Sequence, residues 1–239
     1  MRRQLYNSFS THYHMQKRQY TALRKACSIN DRIFSEIVNH FSFRTEHEIA
    51  LYIRKRFRDH HVKPAYPPLV ANNNQIIHPK PRKKRLQRGW LLLDFGCKVA
   101  GYCSDMTRTL FLGRATKEEL ALYAIILRCQ LRCIRFAKPG ITGSDLDIYA
   151  RTLLSKYKPY FRHALGHGVS KKIHDLPKIS VTSSDVLHQG DFFTIEPGIY
   201  FKTKHAEVGI RIEDTLLLRK KPEILTRSSK RLIEIPFSH

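Results

Sequence analysis

Four stretches of the sequence carry apolar residues three and four positions apart, which is the spacing of an amphipathic helix. They cover residues 23–41, 44–57, 116–140 and 143–157. Thr45 and Glu48 open the second stretch and predict a capping box, in which each residue caps the other's backbone. Pro139 and Gly140 close the third stretch. Four helices are therefore expected, in two pairs.

Short apolar segments predict strands between and after these pairs. WLLLDFG (90–96) is typical of a buried strand, and the glycine-punctuated sequence up to residue 113 continues it as a meander. Three later segments also predict strands: YFRHAL (160–165), DFFTIE (191–196) and VGIRIEDTLLL (208–218). Residues 64–89, rich in Pro and Asn, are expected to form a loop with one short apolar piece. This order indicates an α+β fold, with helices covering one face of a curved antiparallel sheet.

Length and composition agree with a globular protein. The chain has 239 residues, of which 42% are hydrophobic. No apolar run approaches the roughly 18 residues that span a membrane, and the polar N-terminus lacks the apolar segment of a secretory signal. We therefore expect a cytoplasmic protein, with a flexible basic segment at residues 1–19 and one domain at residues 20–239. The five cysteines, an odd number with no CxxC pair, argue against a disulfide framework, and Cys129 and Cys133 are expected to be buried thiols.

The charge is the unusual feature of the composition. Lys and Arg total 43 against 20 acidic residues, a formal net charge of +23. Such a charge attracts polyanions without specificity. The basic residues are scattered, and no helix-turn-helix, zinc-finger or RNA-recognition motif accompanies them. A generally basic surface is the favoured interpretation, and contact with the ribosome, RNA or an acidic partner stays open.

Four acidic residues stand in otherwise apolar strand sequence: Asp94, Asp105, Glu196 and Glu213. One such residue alone is more typical of a buried ion pair. Four ionised carboxylates within about 4 Å would repel one another by about 1 to 4 kcal/mol per pair. One or two divalent cations would remove this conflict. His167, flanked by two glycines, would add a nitrogen, and such a donor set suits manganese, cobalt, iron or zinc.

Four blocks of sequence, in order, resemble the dinuclear pita-bread metallopeptidases, which include Xaa-Pro dipeptidase, aminopeptidase P and methionine aminopeptidase. The blocks are LLLDFGCKVAGYCSDMTRTLFLG, HALGHGVSKKIHDLP, GDFFTIEPGIY and GIRIEDT. The resemblance covers roughly residues 20 to 225 and implies the pita-bread (creatinase/aminopeptidase) fold.

The resemblance also implies a metal centre. Its five ligands would be Asp94, Asp105, His167, Glu196 and Glu213. Asp105 and Glu213 would bridge two divalent ions, with manganese as the first choice and cobalt, iron or zinc as alternatives. The family contains metal-free members that have lost some ligands, whereas this chain has all five residue types in place. An active hydrolase is therefore expected.

Two residues favour the proline-directed branch of the family. His163 lies four residues before His167, where proline-directed members carry a substrate-binding histidine that methionine aminopeptidases usually lack. Arg211, two residues before Glu213, stands where methionine aminopeptidases typically have glutamine. His78 and His174 match two further family histidines that contact substrate or leaving group. Taken alone, His78 is more typical of an exposed histidine and Arg211 of a strand-surface charge.

The implied function is hydrolysis of the peptide bond before proline in short peptides by a hydroxide that the two metals activate. Glu196 would carry a proton to the departing amine, His174 would face the developing oxyanion, and Arg211 would orient a ligand carboxylate. Removal of N-terminal methionine and a non-enzymatic protein that binds ribosome or RNA are the alternatives. A homodimer stays open, and no membrane contact is expected. Ser170, Lys171 and Lys172 depart from the family pattern.

Overall fold

The structure, a computed structural model, describes residues 2–204 and 206–237. Its helices are α1 (Arg2–Asn39), α2 (Glu46–Asp59), α3 (Lys117–Phe136), α4 (Gly143–Leu154) and a 3-10 helix (Ser155–Tyr160). The first seven strands are β1 (Lys63–Pro64), β2 (Leu69–Asn72), β3 (Gly89–Asp94), β4 (Cys97–Val99), β5 (Tyr102–Cys103), β6 (Thr107–Leu112) and β7 (Gly166–Gly168). The others are β8 (Asp175–Ile179), β9 (Phe192–Ile195), β10 (Gly198–Lys202), β11 (Glu207–Arg211), β12 (Asp214–Leu217), β13 (Glu223–Ile224) and β14 (Glu234–Ile235).

Threonines cap the helices α2, α3 and α4, as the sequence predicts for the first of them. The Oγ1 atoms of Thr116 and Thr142 accept from the backbone three residues on, and the carboxylates of Glu119 and Asp145 accept from the cap backbone in return. Thr45 accepts from the Glu48 N–H at 3.1 Å, but the Glu48 carboxylate accepts from the Arg44 N–H instead. Each cap satisfies backbone donors that a helix start leaves free.

The strands pair almost entirely antiparallel, as predicted. One sheet has the order β14-β6-β3-β2 and another β13-β12-β9-β7-β8, with smaller sheets β10-β11 and β1-β4-β5. Among the described strands only β14 and β6 pair in parallel. All six residues of β3 and of β6 are buried, because helices pack on them. One core cluster includes residues of α1 and α2, and another residues of α3 and α4. The expected α+β class is confirmed.

Two predictions for individual segments are wrong. Residues 160–165 form no strand, because α4 satisfies their backbone: Arg151 donates to the Phe161 and His163 carbonyls, and Asp147 accepts from the Leu165 N–H. The apolar piece within 64–89 is a strand, since Leu69–Asn72 pairs with β3. Because the strand is short and prolines surround it, the sequence pattern does not predict it.

At the N-terminus, α1 begins at Arg2 and includes the segment at residues 1–19 that the composition sets apart, as far as the described residues reach. The flexibility expected there stays a prediction, as does the boundary at residue 20. No helix among the described residues is long and apolar enough to cross a membrane.

Candidate active site

The four predicted carboxylates lie at strand ends that the sheet register brings together. Asp94 ends β3 opposite Thr107 of β6, two residues after Asp105. Glu196 directly follows Ile195 of β9, and Ile195 pairs with Asp214, the residue after Glu213. Antiparallel pairing thus places Asp94 beside Asp105 and Glu196 beside Glu213.

His167 enters the same place from β7. Its flanking glycines are required by close backbone approach: a Cβ on Gly166 would lie 2.1 Å from the Thr194 carbonyl oxygen, and one on Gly168 would lie 1.9 Å from that of Leu176. The ring Nδ1 lies 3.1 Å from the Gly168 carbonyl oxygen and donates to it. Nε2 is therefore left with a lone pair, 3.6 Å from Asp105 Oδ2 and 3.5 Å from Glu196 Oε1.

Three of the five predicted ligands form the tightest group. Asp105, His167 and Glu213 each offer one atom that could bind a metal ion, and these three atoms all lie within 4.8 Å of one another. Glu196 adjoins this group through His167. Asp94 is held from the other side, since the Arg211 guanidinium and the Tyr66 hydroxyl both contact its carboxylate. The structure therefore brings all five residues to one site.

Burial and mutual repulsion dominate the electrostatics of the carboxylates. Burial, followed by the Asp94 charge, raises the pKa of Asp105 well above its usual range. Burial and the Asp105 charge raise the pKa of Glu213, and burial and the Glu213 charge raise that of Glu196. Arg211 opposes these shifts but supplies a single positive charge. The site thus has more buried negative charge than its own cations balance, which is the condition that divalent ions relieve.

The four other predicted site residues line the same cleft, which has a volume of about 850 Å³. They are His78, His163, His174 and Arg211. The centroids of the His174 and His167 rings lie 4.4 Å apart, with an angle of 76° between the ring planes. Burial lowers the pKa of His163 to about 3 and that of His167 to about 4, so both rings are neutral. His78 and His174 are exposed at the cleft mouth.

Arg211 is buried and is not the strand-surface charge that it would suggest in isolation. Its side chain is 2% exposed. It donates to Asp94, to the Tyr200 hydroxyl at 2.7 Å and to the Ile77 carbonyl at 3.2 Å, and its Nε lies 3.9 Å from Glu196. Through Ile77 the same guanidinium also holds the loop that carries His78.

Sequence analysis missed three side chains at the site. The Tyr66 hydroxyl contacts both Asp94 and Asp105, Thr107 donates to Glu213 Oε2 at 2.6 Å, and Tyr200 supports Arg211. Burial, then the Asp105 charge, raises the pKa of Tyr66 well above its usual value. Tyr200 follows Glu196 by four residues and could have been suspected from the EPGIY block. Tyr66 lies in a loop-like segment that gives no comparable signal.

A family comparison decides what this arrangement of residues represents. Residues 21–220 match the model of metallopeptidase family M24. The chain belongs to this family. The M24 chain is 34% identical over 225 residues to an Xaa-Pro dipeptidase of Pyrococcus horikoshii, a match that covers 91% of the chain and 63% of the relative. It therefore spans less than two thirds of the length of that relative.

Solved structures of similar sequence agree with the observed fold. A prolidase from Thermococcus sibiricus superimposes on the M24 chain with a TM-score of 0.86 at 32% identity, covering 92% of this chain and 61% of the other. An X-Pro aminopeptidase from Thermotoga maritima has a TM-score of 0.86 at 32% identity, covering 92% and 64%. The pita-bread fold expected from the four sequence blocks is thereby confirmed.

Proposed function

We propose that this chain is a metal-dependent peptidase that hydrolyses the peptide bond before proline in short peptides. The observation that carries the proposal is the convergence of Asp105, His167 and Glu213 within 4.8 Å, in a cleft that His163 also lines. The similarity to Xaa-Pro dipeptidase and X-Pro aminopeptidase supports proline as the residue after the cleaved bond.

The donor set fits divalent metal ions. His167 has its Nδ1 hydrogen engaged and its Nε2 turned toward carboxylates, which is the arrangement of a metal-bound imidazole. Asp94, Asp105, Glu196 and Glu213 would supply the oxygens. When bound, two such ions would neutralise the carboxylates and make hydroxide available as a nucleophile near neutral pH. We propose manganese as the native metal, with cobalt, iron and zinc as alternatives.

The chain's own residues would bind the substrate and move the proton. Glu196 is within 3.9 Å of His163 and 3.5 Å of His167, so its carboxylate stands at the inner wall of the cleft. Its carboxylate would take up a proton and give it to the departing proline nitrogen. His174, beside His167 at the open side, would donate to the carbonyl oxygen as negative charge develops there.

His163 and Arg211 would have positioning roles. The Nδ1 hydrogen of His163 is donated to the Ala164 carbonyl at 2.8 Å, which leaves its buried Nε2 without a partner among the described residues. A buried unpartnered nitrogen is costly, and His163 lines the cleft, so its ring would contribute to substrate binding. Arg211 would hold Asp94 in place, and His78 would cover the substrate from its loop.

A peptide panel tests the proposal. Protein loaded with Mn²⁺ is incubated with Ala-Pro, Gly-Pro and Met-Ala-Ser, and the released amino acids are quantified. Release of alanine and glycine from the proline peptides, abolished by a chelator, is expected. Release of methionine without cleavage before proline would contradict the proposal and favour methionine aminopeptidase activity instead. RNA binding that survives Glu196→Ala, with no peptidase activity, would favour the non-enzymatic alternative.

Metal removal is expected to lower thermal stability, because ions that bind only the folded state stabilise it by mass action. Tm should fall on treatment with a chelator and return when Mn²⁺ is added back. At a free Mn²⁺ concentration 100-fold above Kd, the stabilisation would be about 2.7 kcal/mol. Differential scanning calorimetry gives the measurement. A Tm that changes neither on chelation nor on addition of Mn²⁺ would contradict a shared metal site.

The Tyr66 hydroxyl is expected to strengthen metal binding by fixing the carboxylates of Asp94 and Asp105. In Tyr66→Phe the affinity for Mn²⁺, measured by calorimetric titration, should fall by roughly 10- to 100-fold, as when other groups that orient metal ligands are removed. Tyr52→Phe is the control, since it removes a half-buried hydroxyl that donates to Glu36 at 3.3 Å, remote from the cleft. Equal Mn²⁺ affinity in the two variants would show that the Tyr66 hydroxyl does not contribute to metal binding.

The other expectations stay proposals. A short peptide is the proposed partner, and contact with nucleic acid or ribosome, a homodimer and a cytoplasmic location are predictions that follow from composition and family resemblance alone. The single domain at residues 20–239 is likewise proposed.

A further inference from the structure

Three lysines stand at the mouth of the cleft, and none is part of the proposed reaction. Lys80 follows His78 by two residues, Lys172 precedes His174 by two, and Lys178 lies on β8. All three are exposed. Within residues 2–204 and 206–237, no ion pair engages their ammonium groups.

Lys178 has the best-defined position. In the β7–β8 pairing it is the direct partner of His167. Directly opposed residues of an antiparallel pair project from the same face with Cβ atoms about 4.5 to 5.5 Å apart. The ammonium group therefore leaves the sheet on the side of the metal ligand, and its long side chain reaches into the cleft opening.

Lys172 is held near the same opening by a closed turn. The Ser170 N–H donates to the Lys172 carbonyl at 3.0 Å, and the Lys172 N–H lies 3.3 Å from Ser170 Oγ. Ser170 Oγ in turn donates to Asp175. This network gives a structural role to the serine that departs from the family pattern and presents Lys172 beside His174.

The balance of charge at the mouth is positive. Among the described residues that line the cleft, Asp175 is the one acid outside the four proposed metal-ligand carboxylates. Ser170 and the Leu176 N–H occupy its oxygens, and the Ser170 hydrogen bond, helped by the Lys172 charge, lowers its pKa. With the four carboxylates neutralised by two divalent ions, a bound peptide would meet three ammonium groups and one engaged carboxylate.

We propose that Lys172 and Lys178 make the enzyme select peptides with an acidic side chain either directly before the scissile bond or on the residue that follows the proline. The proposal rests on the proposed peptidase function and names its substrate class. An acidic side chain would find unpaired cations at the mouth, whereas a basic one would meet like charge, which is a means of discrimination by both attraction and repulsion.

Two matched peptide series test the selection. Glu-Pro is compared with Lys-Pro, and Ala-Pro-Glu with Ala-Pro-Lys, using Mn²⁺-loaded protein at low salt. In at least one series kcat/KM should favour the acidic peptide by about threefold to tenfold, through KM, because exposed ion pairs are individually weak. Raising the salt concentration should reduce the preference.

Two double variants distinguish the effect of the lysines at the cleft mouth from that of basic residues elsewhere on the surface. Lys172→Ser/Lys178→Ser should bring the two peptides within about twofold of each other. Lys220→Ser/Lys221→Ser removes the same charge from the turn between β12 and β13 and should keep the preference. Equal rates in both series, or a preference that survives in the first variant, would overturn the proposal.

A binding measurement distinguishes the two possible failures. The same peptides are titrated calorimetrically into the Mn²⁺-loaded protein, which reports the selection even without cleavage. If no peptide is cut but acidic peptides bind more tightly and lose this advantage in Lys172→Ser/Lys178→Ser, only the proposed function fails. If proline peptides are cut but bind without charge preference, only the selection fails.

Discussion

Glu213→Gln is expected to abolish peptidase activity while the fold is kept. Glutamine matches the size of glutamate, but it carries no negative charge and only one oxygen, so it cannot hold a cation as a carboxylate does. Glu213 also lies within the group of three donors that converge most closely. We expect kcat/KM for Ala-Pro to fall by more than the roughly 100-fold typical when a group that only orients a metal ligand is lost, with bound metal per chain falling in parallel.

The control is Glu207→Gln, the same substitution on the neighbouring strand β11. Glu207 pairs with exposed Lys202 at 3.2 Å, away from the metal donors. Its activity and metal content should equal those of the unchanged protein. A Glu213→Gln variant that retains both full activity and full metal content would show that this carboxylate is not a ligand.

Asp214→Asn is expected to destabilise the protein strongly. Asp214 is fully buried and accepts from the Arg108 guanidinium at 2.7 Å, the Gln130 amide at 2.7 Å and the Thr226 hydroxyl at 2.8 Å. Lys230 is a second cationic partner. Although burial raises the pKa of Asp214, these positive charges and hydrogen bonds lower it overall. Removing the carboxylate leaves buried Arg108 without its countercharge, which costs about 3 to 5 kcal/mol.

Urea unfolding of the metal-free protein measures this loss. Asp59→Asn is the control, since it removes one partner of an exposed pair with Arg56, which contributes about 0 to 1 kcal/mol. Because Asp214 directly follows Glu213, a destabilised variant would also bind Mn²⁺ less tightly. Equal losses in the two variants would mean that the buried network contributes little to stability.

The sequence predicts the helices, and the acidic residues that the fold brings to one cleft, because their signals are local. Thr45 and Glu48 are three residues apart, and Thr45 caps α2 as predicted, although the Glu48 carboxylate accepts from Arg44 instead of Thr45. Asp94 and Asp105 stand out because a carboxylate in apolar strand sequence needs a partner. Glycines around His167 indicate the close backbone contacts that the structure contains.

Features that depend on distant contacts could not be predicted in this way. Residues 160–165 have strand composition, but Asp147 and Arg151 of α4 engage their backbone. Tyr66 reaches Asp105 from 39 residues away, across a segment whose prolines suggest only a loop. Taken alone, Arg211 looks like a surface residue in an alternating strand; the family resemblance places it at a site carboxylate, and the fold encloses it among Tyr200, Ile77 and Asp94.

The central claim is that the converging carboxylates and His167 bind metal ions that enable cleavage before proline. The most direct test is the rate of Ala-Pro hydrolysis by one protein sample after chelator treatment, after addition of Mn²⁺, and after addition of Mn²⁺ to Glu213→Gln. We predict no hydrolysis in the first state, hydrolysis in the second and none in the third. Hydrolysis at equal rates in all three states, or in none of them, would contradict the claim.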